Sequence, residues 1–242
     1  MKEDKRVEIK AEEDFIFPSE IQDIIWDSEA YHDYSQEEKD NLLKRIVYSA
    51  EEGDGNGHIC NQLGAMYAEG RLVEADPKKS YEWYKKSSDL GYALGTCNLG
   101  FNYMYGLGTE INYEEAFKCF SEAATFGMTE AIVRLGDMYG YGYYVNKNNN
   151  KAYKMYSMAY NYTKDDLTDL ASFQVYSDVT IRLGNCFYYG YGVEKNMLMA
   201  YHFYSEAYYY YMLRKKMGDS YYHSGLKKSR EKVAQILSEL ED

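Results

Sequence analysis

Apolar positions along the chain recur with a long period that carries a shorter, helical one inside it. The phrase Leu-Gly-x-x-Tyr-x-x-Gly appears at Leu63-Gly64, Tyr67 and Gly70, at Leu99-Gly100, Tyr103 and Gly106, and at Leu135-Gly136, Tyr139 and Gly142. A fourth copy reads Leu183-Gly184, Phe187 and Gly190, and a degenerate fifth reads Met217-Gly218, Tyr221 and Ser224. The first glycines stand 36, 36, 48 and 34 residues apart, so one repeat carries an insertion, placed at 161–172.

Each copy continues in register. Asp76, Asn112, Asn148 and Asn196 fall at one position, where a side-chain oxygen satisfies the free amides of a helix start. Pro77 fits the first helical position after such a cap. Small residues follow at Ser80, Ala116, Ala152 and Ala200, then bulky pairs such as Trp83-Tyr84 and Phe203-Tyr204, then small residues again. Their spacing of three, four and seven makes one helical stripe. Gly91 and Gly127 then end the helix as left-handed caps.

Each unit is therefore a helix A, a glycine-bearing turn, a helix B and a short return. One hairpin cannot bury its stripe alone, but stacked neighbours can. The pattern predicts an all-α fold, an α/α solenoid of about five two-helix repeats with five A helices. The expected repeats are 57–92, 93–128, 129–176, 177–210 and 211–240, making a repeat domain over 57–240. Residues 15–56 are expected to hold capping helices, a short one at Phe15–Trp26 and a leading helix B at Gln36–Gly53 built on Leu42, Ile46 and Ala50. Residues 1–14 read as a disordered tail, and Lys227–Leu240 as a final helix B.

These motifs resemble the Sel-1-like repeat, a relative of the tetratricopeptide repeat, most clearly in Cys97–Gly127 and Ile181–Ala207, where Gly190, Gly192 and Val193 complete the turn. The resemblance covers about residues 36 to 240. It implies a right-handed superhelix with a concave wall of A helices, and an adaptor or scaffold role in protein assemblies. Some secreted members tie each repeat with a disulfide. Here Cys97 holds one of the two positions but Ser88 holds the other, a departure from that pattern.

Composition narrows the function further. The formal net charge of −12 opposes nucleic acid and weakly favours a basic partner. No run reaches the roughly 18 apolar residues of a membrane span, and the charged start MKEDKRVEIKAEED has no signal core, so a cytoplasmic protein is expected. Cys60, Cys97, Cys119 and Cys186 show no CxxC spacing and read as small apolar core residues.

Candidate chemistry falls away residue by residue. The Gly-x-Gly pairs at Gly106/Gly108, Gly140/Gly142 and Gly190/Gly192 follow no strand, so they read as repeat turns and not phosphate loops. Asp54-Gly55-Asn56-Gly57 opens like a calcium loop, but the closing Glu position is Ala65. His32, His58, His202 and His223 form no zinc spacing. No catalytic, metal or cofactor residues are assigned, and no enzyme is expected.

The 30 tyrosines stand out. Tyr67, Tyr103, Tyr139 and Tyr221 hold the repeat's packing position and are expected in the core. An A-T-rich genome would also inflate tyrosine without any function. By analogy with tetratricopeptide geometry, the concave wall takes the residues three before the first glycine and one, four and five after it. The candidate partner-binding residues on that wall are Asn61, Phe101, Tyr105, Asp137, Tyr141, Asn185, Tyr188, Tyr189 and Tyr222. Rigid aromatics interleaved with Asn and Asp suit a peptide backbone. The expectation is a non-catalytic scaffold that holds a protein or peptide partner in its groove. The rivals are a carbohydrate-binding module, and a β-lactam or cell-wall hydrolase of the kind proposed for disulfide-rich relatives. Neither partner identity nor oligomeric state follows from the sequence.

Overall fold

The computed structural model describes residues 34–51 and 56–241. Expectations for the tail 1–14, the helix Phe15–Trp26, the cap Gly53 and the Asp54-Gly55 turn lie outside the described residues. Within them the chain is all-α, with ten helices that pair into a solenoid of about five two-helix units. They are α1 (Gln36–Glu51), α2 (Gly57–Glu69), α3 (Pro77–Asp89), α4 (Ala93–Tyr105) and α5 (Tyr113–Thr125). Next come α6 (Thr129–Tyr141), α7 (Asn149–Thr163), α8 (Leu170–Tyr189), α9 (Met197–Lys216) and α10 (His223–Glu241). The chain divides into two compact units, Met1–Cys119 and Phe120–Asp242.

The capping residues act as their chemistry requires. Asp76 Oδ1 accepts from the amides of Lys78 and Lys79, both at 3.1 Å. Asn112, Asn148 and Asn196 do the same for α5, α7 and α9. The backbone amide of each cap also reaches back to the carbonyl of the motif aromatic, as from Asn148 to Tyr139 at 2.7 Å, which closes the turn between helices A and B.

The first glycine of the motif has a packing reason. A Cβ on Gly136 would stand 2.5 Å from the Tyr156 ring, and one on Gly184 would stand 2.9 Å from the Tyr204 ring. Only glycine lets helix A lie against the B-helix tyrosine. The second glycine of the turn answers to backbone: Gly192 has φ +74°, and a Cβ there would overlap the Asn149 carbonyl of the preceding repeat.

In the first unit, Leu42, Ile46 and Ala50 of α1 are buried with Ile59, Leu63 and Met66 of α2, as their stripe predicts. In the second, Ile132, Val133, Tyr156, Leu183 and Phe203 form the main cluster. All four cysteines are buried and stand outside any disulfide.

The insertion 161–172 ends α7, forms a short connection, and begins an α8 of 20 residues where the other motif A helices have 13. Helix α9 is also 20 residues long, so antiparallel neighbours lengthen together. That added length consumes the start of the fifth copy. Residues 211–216 belong to α9, Gly218 is a left-handed turn at φ +81°, and Tyr221 is 84 % exposed instead of buried. The last helix starts at His223, and in chain order it takes the place of the fifth helix A, not of a helix B.

Candidate functional site

In the unit Phe120–Asp242, the tyrosine that lies across each motif glycine also binds the next residue of helix A. Tyr204 Oη donates to Asn185 Oδ1 at 2.7 Å, and Tyr156 Oη donates to Asp137 Oδ1 at 2.8 Å. Asp137 collects two arginines besides. Arg182 forms a fork on it, Nε to Oδ1 and Nη2 to Oδ2, both at 2.7 Å. Arg134 Nη1 adds a bond to Oδ2 at 3.0 Å. Burial pushes the Asp137 carboxyl up, but the bonds and charges of Arg182 and Arg134 outweigh it and hold the group below its ordinary value. Burial, and then the Asp137 charge, push the Tyr156 hydroxyl up, so it serves as a fixed donor.

Above this floor opens a cavity of about 440 Å³. Helix α6 contributes Asp137, Gly140 and Tyr141, and α8 contributes Ile181, Arg182, Asn185, Cys186 and Tyr189. Lys147 comes from the turn before α7, Asn149, Ala152 and Tyr156 from α7, Tyr191 from the turn after α8, and Lys228 from α10. The rim is aromatic. Tyr141 is 69 % exposed and stacks on Tyr143 with ring centroids 5.5 Å apart. Tyr189 is 47 % exposed and stacks on Tyr191 at 5.2 Å. Burial pushes the Cys186 thiol up to about 12, so at neutral pH it is no thiolate nucleophile. Among the described residues no group of His, Cys, Asp and Glu is placed to hold a metal ion.

Four of the nine wall residues read from the sequence meet in this cavity: Asp137, Tyr141, Asn185 and Tyr189. Tyr188 is buried beside it, donating to Glu239 at 2.7 Å and accepting from Gln235 at 2.6 Å. Tyr222 precedes α10, half-buried against Ile181, Ala207 and Tyr211 and stacked on His223 at 4.0 Å. In the other unit Asn61 is buried and accepts from Asn98 at 2.8 Å. Phe101 lines a smaller cavity of about 190 Å³ with Tyr84 and Asn98. Tyr105 is exposed and stacks on Phe101 at 6.2 Å. The position three before each glycine, represented by Asn61, Cys97, Val133 and Ile181, is buried, and of these Ile181 lines the cavity.

Sequence reasoning missed the cations. Arg134 and Arg182 sit in one register, two before the glycine, in the phrases Arg-Leu-Gly-Asp and Arg-Leu-Gly-Asn. Two arginines at one repeat position with a single following aspartate are a readable sign of an ion-pair node. Lys228 was hidden, because its segment was assigned to helix B.

The family model of the Sel1 repeat matches residues 60–92, 93–125, 129–161 and 177–209, together more than half of the chain. A Sel1 repeat protein from Oxalobacter formigenes matches with a TM-score of 0.55 at 20 % identity, over 84 % of this chain and 84 % of that one. The c5321 protein, a protective antigen present in uropathogenic Escherichia coli strains and displaying an SLR fold, matches with a TM-score of 0.53 at 20 % identity. That match covers 93 % of this chain and 55 % of the other. A search of curated proteins gives no match.

Proposed function

Because the chain belongs to the Sel1 repeat family, we propose that it is a non-catalytic scaffold whose unit Phe120–Asp242 holds an extended segment of a partner protein between Tyr141 and Tyr189. The observation that carries this reading is the aromatic rim over a polar, internally bonded floor. Large exposed rings bury much area at little entropic cost when a partner covers them, and a cavity of this size suits side chains of a bound segment. The floor is held by Arg182, Tyr156 and Arg134, so it is organised before the partner arrives. Among the described residues no helix is long and apolar enough to cross a membrane.

The test is affinity purification from the native cell with the wild-type chain and a Tyr141→Ala/Tyr189→Ala variant, read by mass spectrometry. Helicity by circular dichroism should be unchanged and the specific partner should be lost. A Tyr221→Ala variant, altered at an exposed tyrosine outside the cavity, should keep it. Equal recovery by all three chains overturns the reading. Glycan-array binding that disappears with the two rim tyrosines would replace it with the sugar-binding alternative.

A further inference from the structure

The second unit's cavity has a charge balance opposite to that of the whole chain. Its lining holds three cations, Lys147, Arg182 and Lys228, and one carboxylate, Asp137. Asp137 is fully occupied by the Arg182 fork, Arg134 and the Tyr156 hydroxyl. Arg182 is occupied in turn, since its remaining Nη1 donates to the Asp178 carbonyl at 2.8 Å. No carboxylate pairs with Lys147 or Lys228 among the described residues. Two ammonium groups therefore open on a cavity whose own anion is already spent.

Lys228 is the more telling of the two. Its side chain is still open to solvent, and partial desolvation at the cavity together with the charges of Arg182 and Lys232 holds its ammonium below the ordinary lysine value. An arriving carboxylate offsets the repulsion that the neighbouring cations exert on this ammonium. Lys232, one turn further along α10, stands over the Tyr188 and Tyr189 rings at 4.1 and 5.1 Å and extends the positive edge beside the rim. The rest of the lining is neutral: Ile181, Ala152 and Gly140 with the faces of the tyrosines. Such a lining suits an acidic side chain carried on a peptide, flanked by apolar or aromatic residues. The chain's net charge of −12 disfavours a polyanion such as nucleic acid, whose charge would extend well beyond the cavity.

We propose that the segment bound between Tyr141 and Tyr189 is acidic, and that an internal Glu or Asp side chain of it docks between Lys147 and Lys228. This rests on the groove-binding scaffold reading and reverses the basic partner expected from net charge alone. The local field at a cavity, not the summed charge, decides what the cavity takes.

Selection of a phage-displayed random peptide library on the full chain tests it, with Lys147→Glu/Lys228→Glu and Tyr141→Ala/Tyr189→Ala variants in parallel. The wild-type pool should be enriched in Asp and Glu, and the charge-reversed variant should lose that enrichment while keeping its circular dichroism spectrum. A wild-type pool that is neutral or basic overturns the acidic assignment and leaves the groove reading standing. A wild-type pool no richer than that of the tyrosine variant overturns both. A synthetic peptide of the enriched sequence settles the source of the carboxylate. Replacing its internal Glu by Gln should weaken binding about tenfold, and amidating its C-terminus should change nothing. Sensitivity to amidation without sensitivity to Glu→Gln overturns the side-chain assignment.

Discussion

A methyl group added at Gly136 and one added at Gly140 meet opposite surroundings on the same helix. At Gly136 it would stand 2.5 Å from the Tyr156 ring, which Asp137 holds in place by its hydroxyl. At Gly140 the nearest atom, Ala152 Cβ, is 3.6 Å away, an ordinary contact. Alanine gains about 1 kcal/mol over glycine inside a helix, whereas overpacking costs about 1–3 kcal/mol. Gly136→Ala should therefore lower the urea midpoint and Gly140→Ala should raise it; equal effects would mean that the Tyr156 ring gives way. Asp137 makes a second residue-scale prediction. Its folded carboxyl lies below the unfolded value of about 3.9. Its contribution is thus complete above about pH 4 and is lost as pH falls through the folded value. Asp137→Asn leaves two arginines facing a neutral group and should cost about 3 kcal/mol at pH 7. The gap from wild type should shrink in acid, as stability curves measured between neutral and acidic pH would show. A gap independent of pH would mean that the carboxylate charge is not what stabilises the node.

At the scale of elements, the chain was readable wherever a local signal marked an end. Asp76, Asn112, Asn148 and Asn196 placed four B-helix starts, and all four side chains cap as expected. Replacing Asn196 by Ala removes the Met199 amide's partner and should cost about 1 kcal/mol, detectable as a lowered thermal midpoint. No loss would mean that water satisfies the exposed amide equally well. What stayed hidden was length. Nothing between Asp169 and Tyr176 breaks a helix, yet the motif ended its register at Ile181, so the extension of α8 had no mark. Its partner is the tyrosine run of α9: Tyr210 packs on Phe173 and Tyr176 at 5.4 and 4.7 Å, and Arg214 reaches Ser177 at 2.8 Å. Those are contacts over more than thirty residues of sequence, which no local pattern encodes. The same extension displaced the fifth motif, turned Tyr221 outward and carried Lys228 to the cavity. The aromatic half of the site could be read from the repeat register; the cationic half depended on this tertiary displacement.

For the whole molecule, the net charge of −12 and the cation-lined cavity pull in different directions over different distances. An approaching acidic peptide first meets the summed field, which repels it. Only within about a Debye length, about 8 Å at physiological ionic strength, does the field of Lys147 and Lys228 dominate. Salt therefore acts on two stages with opposite signs. Screening the outer repulsion should raise the association rate as ionic strength increases from low to physiological values. Screening of pairs formed at contact distance inside the cavity is weaker than screening of the long-range field. The dissociation rate should then rise less than the association rate, and affinity for the acidic peptide should improve or hold steady with salt. Surface-exposed lysines acting without the cavity would give the reverse, an association rate that falls with salt as it does for ordinary attractive steering. Stopped-flow binding of one labelled acidic peptide across a salt series separates the two. The sign of that slope shows whether the acidic peptide is captured by the cavity itself or by a positive patch facing open solvent.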